Sequence, residues 1–580
     1  MEKLEISFYR NGKATKKAVR YFGDDFKISL ISESIISANL TIRNDTGVLL
    51  QTQGKREGKE ILFDFPENNR GLYFFSVEAL TPDGSFSTPE GKILAVENIY
   101  KTLPPPKGVI YHIFVDRFAK GGNVPLREDA YYNPDWQGEI TQYPEIPGDH
   151  VENNEFFGGN LYGIIDRLDY ISSLGTEWLY LSPVFTAYSN HKYDVGDFLS
   201  VDEMFGGDTA LEKLISECHG RGIKVILDGV FNHVGMYSIY FDIKNRYGGA
   251  YRNPDSPCRE WFEIRPDGSY DCWWGITNLP KIKKVKSYRD FICGRVIPKY
   301  MNMGIDGWRL DVVDEYDNSF LEEITASAKR INPDAVIIGE VWEDVTEKIA
   351  YEERKSYFYG SALDSATNYP LREGIISYFQ TGNAVFLKEV LENQITNYPD
   401  EKLFCMMNML GSHDTVRIMN VLAGEDGKDK PGSRLAKLCL TPGQREKGKG
   451  LLMAAYSLMA CLPGIPAVYY GDEGGLEGWR DPFNRKPFPW GKEDTELIEY
   501  FKKINRIRAN SRSLIEGDTN ILQWNDGFFV FEREYQDSGR IFCVCNMSKE
   551  HIYHVDSSFI PLNIKDYKVY PGQTGIYGVC

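Results

Sequence analysis

The stretch Gly304-Ile305-Asp306-Gly307-Trp308-Arg309-Leu310-Asp311-Val312 contains a short apolar strand that ends in charged residues. An apolar run that ends at a carboxylate is typical of a buried parallel strand whose last side chain reaches the mouth of a barrel. Because side chains alternate along a strand, we expect Arg309 and Asp311 on one face and Trp308 and Leu310 on the other. An arginine beside an aspartate favours the ionised carboxylate, which predicts a charged, nucleophilic Asp311.

Three further apolar runs end in polar side chains in the same way. Residues 223–227 lead to Asp228 and His233, residues 335–338 lead to Glu340, and residues 404–410 lead to His413 and Asp414. The carboxyl ends of parallel strands meet at one mouth of a barrel, so these four strand ends predict one active site. Asp228 and Asp306 are expected deep in their strands, as buried framework residues.

In their order and spacing, the four stretches resemble the signature regions of the α-amylase superfamily, glycoside hydrolase family 13. The likeness is greater to its neopullulanase, cyclomaltodextrinase and maltogenic amylase branch, and it covers nearly the whole chain. Leu279-Pro280-Lys281-Ile282 resembles a fifth motif of the same branch. Four ordered motifs are a far more specific signal than any one of them.

Alternation of short apolar runs with amphipathic helices predicts an α/β fold, a (β/α)₈ TIM barrel with an insertion after strand 3. We assign residues 109–516 to this catalytic barrel and about 234–280 to the insertion, which is rich in aromatic and turn residues. Short alternating runs before and after it predict flanking β-sandwich domains at residues 1–102 and 517–580. The position of the N-terminal sandwich resembles a carbohydrate-binding module, and a purely stabilising or dimerising role is an equal alternative.

The resemblance implies the chemistry of the site. Cleavage with retention needs two carboxyl groups roughly 5–5.5 Å apart, one a nucleophile and one a proton donor. By resemblance Asp311 is the nucleophile, Glu340 the acid/base, and Asp414 a carboxylate that holds the sugar hydroxyls. Glu340 has no cation beside it in sequence and lies near Trp342, which favours its protonated form.

Six further residues are implied in substrate binding. His233 and His413 resemble histidines that bind the sugar before the cleaved bond, Tyr193 resembles the tyrosine that stacks beneath it, and Arg309 supports the nucleophile. Arg485 and, beside it, Asp481 resemble residues of the next subsite inward.

The resulting interpretation is a retaining α-glucan hydrolase that cleaves α-1,4 bonds in cyclodextrins, maltooligosaccharides or pullulan, with α-1,6 cleavage and transglycosylation as further hypotheses. An α-glucosidase or a longer-chain α-amylase of the same family is an alternative, and a non-catalytic glycan-binding protein is the alternative from another class. Two departures from the branch pattern, Val312-Val313-Asp314-Glu315 and Glu343, lie towards the leaving group and leave linkage preference open.

Composition restricts the partners. The formal net charge of −17 and the pI of about 5.2 argue against nucleic acid, because phosphate binding needs a basic surface. The run 451–470 is broken by two prolines and reads as a helix followed by a strand, so no membrane span is expected. Ten cysteines without an apolar leader suggest reduced thiols, and we expect a cytoplasmic protein.

No cofactor is required by this chemistry. Many relatives bind calcium through segments that correspond to Lys120-Gly121-Gly122-Asn123 and Gly158-Gly159-Asn160, but Asn160 and the scarcity of carboxylates there weaken the case for a hard cation. A homodimer is implied by the branch alone.

Overall fold

A closed parallel barrel forms the centre of the computed structural model, which describes residues 5–31, 34–66, 69–536 and 539–579. Its eight strands, in chain order, are Val109–Ile113, Thr176–Leu181, Lys224–Gly229, Gly307–Leu310, Val336–Gly339, Ser365–Ala366, Met407–Met409 and Ile465–Tyr469. The eighth strand pairs with both the first and the seventh. A parallel bridge between Thr367 and Met407 joins the sixth strand to the seventh. The predicted (β/α)₈ barrel is confirmed.

Helices surround the barrel. They are Leu161–Ile165, Leu168–Ser173, Gly207–His219, Lys286–Phe291, Ile297–Met303, Asn318–Ile331, Tyr369–Thr381, Val385–Asn397, Asp400–Leu403, Ile418–Ala423, Gly432–Leu435, Pro442–Cys461, Thr495–Ala509 and Arg512–Glu516. Side chains fix several helix starts: Asp317 accepts a hydrogen bond from the Phe320 N–H at 2.9 Å, and Thr441 forms a capping box with Gln444. In the described part of the chain, no helix combines the length and apolar character needed to cross a membrane.

Local backbone requirements explain the strand that carries Asp311. Gly304 ends the preceding helix with φ at +108°, a conformation that side chains disfavour. A Cβ atom at Gly307 would lie 2.2 Å from the Val336 carbonyl oxygen, so only glycine allows the two strands to pair this closely. Trp308 points outward against the Tyr300 ring, whereas Arg309 points inward to Asp228. The predicted alternation is confirmed.

The N-terminal region forms two antiparallel-rich sheets. The first contains Lys13–Thr15, Glu5–Arg10, Phe26–Ile31, Glu60–Asp64 and Lys55–Glu57, and the second contains Val19–Tyr21, Gly91–Val96, Gly71–Thr81, Ser37–Asn44 and Gly47–Gln53, with Gly84–Ser87 paired to Gly71–Thr81. Phe26, Ile28, Leu40 and Val77 lie in the apolar core between these sheets.

The C-terminal region is a five-stranded antiparallel sheet beside a two-stranded one. The larger sheet contains Asp518–Gln523, Phe528–Glu534, Arg540–Asn546, Gln573–Val579 and Ile560–Pro561, and the smaller contains Tyr553–His554 and Lys568–Val569. Apolar residues of both terminal regions, among them Leu72 and Phe531, share one continuous core with the barrel helices. Because this core is continuous, it marks no boundary between the three proposed domains, and their residue limits stay predictions.

Several element limits differ from a simple reading of the apolar runs. The sequence predicts the sixth strand over residues 361–369, but the strand is only Ser365–Ala366, because residues 361–364 bend and Asn368 already caps the next helix. Asp306 is not within its strand: it precedes Gly307–Leu310, where it accepts hydrogen bonds from the Val225 N–H and from His219, both at 2.8 Å. Asp306 thus lies at the amino end of the barrel, away from the mouth.

Glu473 is a fully buried carboxyl group behind the eighth strand. Its Oε1 accepts hydrogen bonds from the hydroxyls of Tyr111 at 2.6 Å and Tyr170 at 2.8 Å, and its Oε2 accepts one from the Gly471 N–H at 2.9 Å. Burial raises the pKa of Glu473 to about 7.

Replacing Glu473 with glutamine is therefore expected to flatten the pH dependence of stability. In the unfolded chain this carboxyl has a pKa of about 4.3, so the native state holds the proton more tightly. The tighter binding of the proton stabilises the native state fully below about pH 4.3. The free energy of unfolding then falls by about 3 kcal/mol as the pH rises to about 7. Urea unfolding at pH 5 and pH 8 measures the difference. Surface Glu217→Gln is the control, and identical pH dependence in all three proteins would contradict the prediction.

Candidate active site

One guanidinium group, that of Arg309, joins three carboxylates at the mouth of the barrel. Its Nη1 lies 2.8 Å from Asp311 Oδ1 and 3.0 Å from both carboxylate oxygens of Asp228, and its Nη2 lies 3.0 Å from Glu340 Oε2. All four side chains are buried. The register places Asp228 opposite Arg309 and Leu310 opposite Gly339, so Asp311 and Glu340 follow adjacent strand ends. The predicted convergence of these strand ends is observed.

Glu340 is held from two further directions. The Val312 N–H donates to Oε2 at 2.8 Å, and the indole N–H of Trp342 donates to Oε1 at 2.9 Å. Val312 adopts φ 42° and ψ 52°, a left-handed conformation that is strained for a β-branched residue. Val312 directly follows Asp311, so its N–H connects the Asp311 strand end to Glu340.

Strand pairing adds contacts of Arg309 that the sequence did not predict. Arg309 does not serve Asp311 alone, and Glu340 does have a cation beside it, because strand pairing brings the same guanidinium to both. Burial and the negative charge of Glu340 raise the pKa of Asp311 well above its usual value, although Arg309 acts in the opposite direction. The charge of Glu340 therefore opposes, and Arg309 favours, the ionised form of Asp311 that the sequence predicted.

Tyr193 and His413 form an aromatic wall beside Asp228. Their rings stack with centroids 5.0 Å apart and an interplanar angle of 12°. The Tyr193 hydroxyl donates to Asp228 Oδ2 at 2.9 Å, and the Tyr180 hydroxyl donates to the same oxygen at 2.6 Å. Asp228 thus orients Arg309 and Tyr193 from below, which agrees with its expected framework role.

Asp414 and Arg485 lie beside this wall. His413 Nε2 is 3.1 Å from Asp414 Oδ2, and Arg485 Nη2 is 3.8 Å from Asp414 Oδ1. Arg485 also pairs with Asp481 at 2.8 Å, and the Asp481 side chain is 47% exposed, at the rim. Burial and the negative charge of Glu340 raise the pKa of Asp414. A third of the Asp414 side chain is exposed, so water limits this shift.

His233 is at the mouth but outside this hydrogen-bonded network. It stacks on Trp273 with centroids 5.1 Å apart. Neither ring nitrogen has a hydrogen-bond partner among the described residues, although both are buried, and His413 Nδ1 is in the same condition. Buried polar atoms are normally paired, so these nitrogens are available to the hydroxyl groups of a ligand.

Sequence reasoning missed two aromatic supports. His112, inside the first strand, stacks on Tyr180 at 4.2 Å and contacts the His413 ring edge-on at 5.4 Å. Trp342 stacks on Tyr369 at 3.6 Å and keeps 45% of its surface exposed. His112 could have been found from sequence, because it is a polar residue in a run that is otherwise apolar. The pairing of Trp342 with Tyr369 is a tertiary contact, which leaves no signal in the local sequence.

The segments that resemble a calcium loop offer few carboxylate ligands to a hard cation. The side-chain oxygen of Asn160 accepts the Gly163 N–H at 2.9 Å and caps helix Leu161–Ile165. Among the described residues, no group of three His, Cys, Asp or Glu side chains is placed to hold a metal ion.

Comparison with known proteins agrees with this geometry. The family description "Alpha amylase, catalytic domain" matches residues 112–528. An amylopullulanase of Thermoanaerobacter thermohydrosulfuricus is 35% identical over 83% of this chain and 36% of its own length. A cyclomaltodextrinase of Thermoanaerobacter pseudethanolicus is 30% identical over 85% of this chain and 83% of its own. A structure of cyclic α-maltosyl-(1→6)-maltose hydrolase from Arthrobacter globiformis has a TM-score of 0.67 and 28% identity, covering 82% of this chain and 99% of that one.

The chain spans between 26% and 38% of the length of three matching amylopullulanases. The matched catalytic domain nevertheless covers most of the chain, and it contains all four strand ends that form the site. This chain belongs to the α-amylase family, glycoside hydrolase family 13, in the branch of the cyclomaltodextrinases, neopullulanases and maltogenic amylases.

Proposed function

We propose that the protein is a retaining α-glucan hydrolase that works by double displacement. The observation that carries this proposal is the pair Asp311 and Glu340, buried on adjacent strand ends and bridged by one guanidinium group. Cleavage with retention needs a carboxylate that attacks and a carboxylic acid that donates a proton, and this pair can supply both.

In the first step Asp311 attacks the anomeric carbon while Glu340 gives its proton to the departing glycosidic oxygen. A covalent glycosyl–enzyme forms and the leaving sugar departs as an alcohol. In the second step Glu340 takes a proton from water, which displaces Asp311 and restores the starting state. If another sugar hydroxyl replaces water, the product is a transferred glucan. Arg309 stabilises the carboxylate form of whichever partner has lost its proton.

The surrounding groups hold the sugar ring. The free nitrogens of His233 and His413 Nδ1 are placed to bond hydroxyl groups, and Asp414 is the third carboxylate of the site. Tyr193 offers an aromatic face beside them, since such faces pack on the C–H surface of a sugar. Arg485 and Asp481 extend this surface to the rim.

Substrate class rests on the relatives. Their names include cyclomaltodextrinase, neopullulanase, maltogenic α-amylase and amylopullulanase, which supports cyclodextrins, maltooligosaccharides and pullulan as substrates. An α-glucosidase or longer-chain amylase is the alternative within the family. A non-catalytic glycan-binding protein is disfavoured, because all three carboxylates are present and assembled.

Products from β-cyclodextrin, soluble starch and pullulan, compared side by side, should show fast opening of cyclodextrin and slower attack on starch. Glu340→Gln is the control for contaminating activity. Starch preferred over cyclodextrin would instead favour an α-amylase with an open cleft. No release from any substrate, with Glu340→Gln indistinguishable from the native protein, would support the glycan-binding alternative.

The proposal includes no cofactor, and calcium is not part of it. The nine cysteines that the structure describes are all free thiols, which supports the proposed cytoplasmic location. The α-glucan is the proposed partner, and a homodimer is proposed from the branch alone.

A further inference from the structure

The loop that follows Glu340 lies on the N-terminal sandwich. Lys92, in strand Gly91–Val96, is 2.9 Å from Asp344 and 2.8 Å from Glu347. Further along the loop, the Arg354 guanidinium forms a two-pronged ion pair with Asp45, in the turn between strands Ser37–Asn44 and Gly47–Gln53. Two separate strand pairs of the sandwich therefore fix the course of residues 341–355.

This loop contains a tight hairpin with a strained tip. Strands Ile349–Ala350 and Glu353–Arg354 are joined by Tyr351 and Glu352, whose φ angles are +53° and +64°. Two successive non-glycine residues with positive φ cost free energy, and such strain persists only where neighbours impose it. The Asn318 amide supplies one such restraint by donating to the Arg354 carbonyl at 2.9 Å.

The hairpin tip reaches the wall of the active site. The Tyr351 hydroxyl donates to Glu315 Oε1 at 2.6 Å, and Lys281 Nζ binds Glu315 Oε2 at 2.7 Å. Lys281 also lies over one face of the Tyr351 ring, 4.9 Å from its centroid. The Glu315 N–H bonds to the carbonyl of Val312, which itself contacts Glu340.

Tyr351 nevertheless remains 65% exposed. The Tyr351 ring is hydrogen-bonded at its hydroxyl, and the Lys281 ammonium group covers one of its faces, so the other face is presented to solvent. Such an aromatic face, edged by a cation and a carboxylate, is suited to the C–H face and hydroxyls of a glucose unit. Its two partners connect it to the site: Lys281 pairs with His233 in an isolated strand bridge, and Glu315 bonds to Val312, which contacts Glu340. In the proposed mechanism Glu340 protonates the departing sugar.

We propose that Tyr351, with Lys281 and Glu315, binds the leaving-group sugar and that the N-terminal sandwich holds this platform in place through Asp45 and Arg354. The inference rests on the proposed hydrolase function. It gives the N-terminal region of the same chain a part in substrate selection without direct sugar binding by the sandwich itself.

Kinetics with two donors test the platform. Maltotetraose places glucose units beyond the cleaved bond, whereas 4-nitrophenyl α-maltoside places only a small aromatic ring there. Tyr351→Ala is expected to lower kcat/KM for maltotetraose about tenfold more than for the nitrophenyl donor. Tyr351→Phe, which keeps the ring but loses the bond to Glu315, should show a smaller difference. Asp45→Ala should shift the same ratio in the same direction, since it releases the hairpin.

Tyr570→Ala, which removes another exposed tyrosine in the C-terminal region, is the matched control. Equal losses on both donors, or none, in Tyr351→Ala would overturn the platform, and an unchanged ratio in Asp45→Ala would overturn the role of the sandwich. If the native protein cleaves neither donor, the hydrolase proposal itself fails. Thermal unfolding of each variant shows whether a loss on both donors reflects a damaged fold.

Discussion

Asp311→Asn is expected to reduce kcat on β-cyclodextrin and maltotetraose by at least about 10⁴-fold, as the loss of a covalent nucleophile generally does. The amide cannot form the glycosyl–enzyme, and it leaves Arg309 with one fewer carboxylate, Asp228 and Glu340 remaining. Binding should survive, because the free imidazole nitrogens and the Tyr193 face are unchanged. Initial rates and isothermal titration with β-cyclodextrin measure the two effects separately.

Asp306→Asn is the matched control. It changes the other aspartate of the same motif, which bonds the Val225 N–H and His219 at the amino end of the barrel. Its kcat should stay within about twofold of the native value, because substitutions away from the active site usually have small effects. Retention of substantial turnover by Asp311→Asn, or equal losses in the two variants, would remove Asp311 from the nucleophile role.

Barrel and mouth could be predicted from sequence because the relevant signals are local. Arg309 and Asp311 share a strand face by simple alternation, and Gly304 and Gly307 mark positions where a side chain would be strained or would clash. The sixth strand was overestimated for a physical reason. Residues 361–364 are mostly buried at a bend before the strand. Composition cannot distinguish buried residues at a bend from residues that pair in a strand.

The electrostatics of the site could not be predicted in the same way. Sequence adjacency assigned Arg309 to Asp311, but Arg309 also reaches Asp228 and Glu340, which are distant in sequence. Trp342 was interpreted as an apolar neighbour of Glu340, whereas its indole N–H is a hydrogen-bond donor to that carboxylate. The contact between Arg309 and Asp311 was predicted correctly. The further partners were not, because strand register and rotamer set them, and no local pattern contains either.

The shared guanidinium has a mechanistic consequence. In the proposed mechanism, Asp311 loses its charge when it becomes part of an ester, and the same Arg309 is then free to stabilise the carboxylate that Glu340 becomes after donating its proton. Charge moves between two groups around one fixed cation, so little reorganisation is needed between the two steps. The fixed position of Arg309 between the two carboxyl groups thus prepares the site for both steps.

Glu340→Gln should separate those two steps. On β-cyclodextrin, where the departing alcohol needs a proton, we expect a loss of about 10²–10⁴-fold, the usual contribution of a general acid. With α-maltosyl fluoride the leaving group needs no proton, so Asp311 should still form the glycosyl–enzyme quickly. Without a base to activate water the second step stays slow, and fluoride should appear as a burst equal to the enzyme concentration, followed by slow turnover. Glu217→Gln, on a surface helix, should show no burst beyond that of the native enzyme. Slow fluoride release without a burst would mean that Glu340 is needed for more than proton transfer, and rapid steady turnover would assign the acid/base role elsewhere.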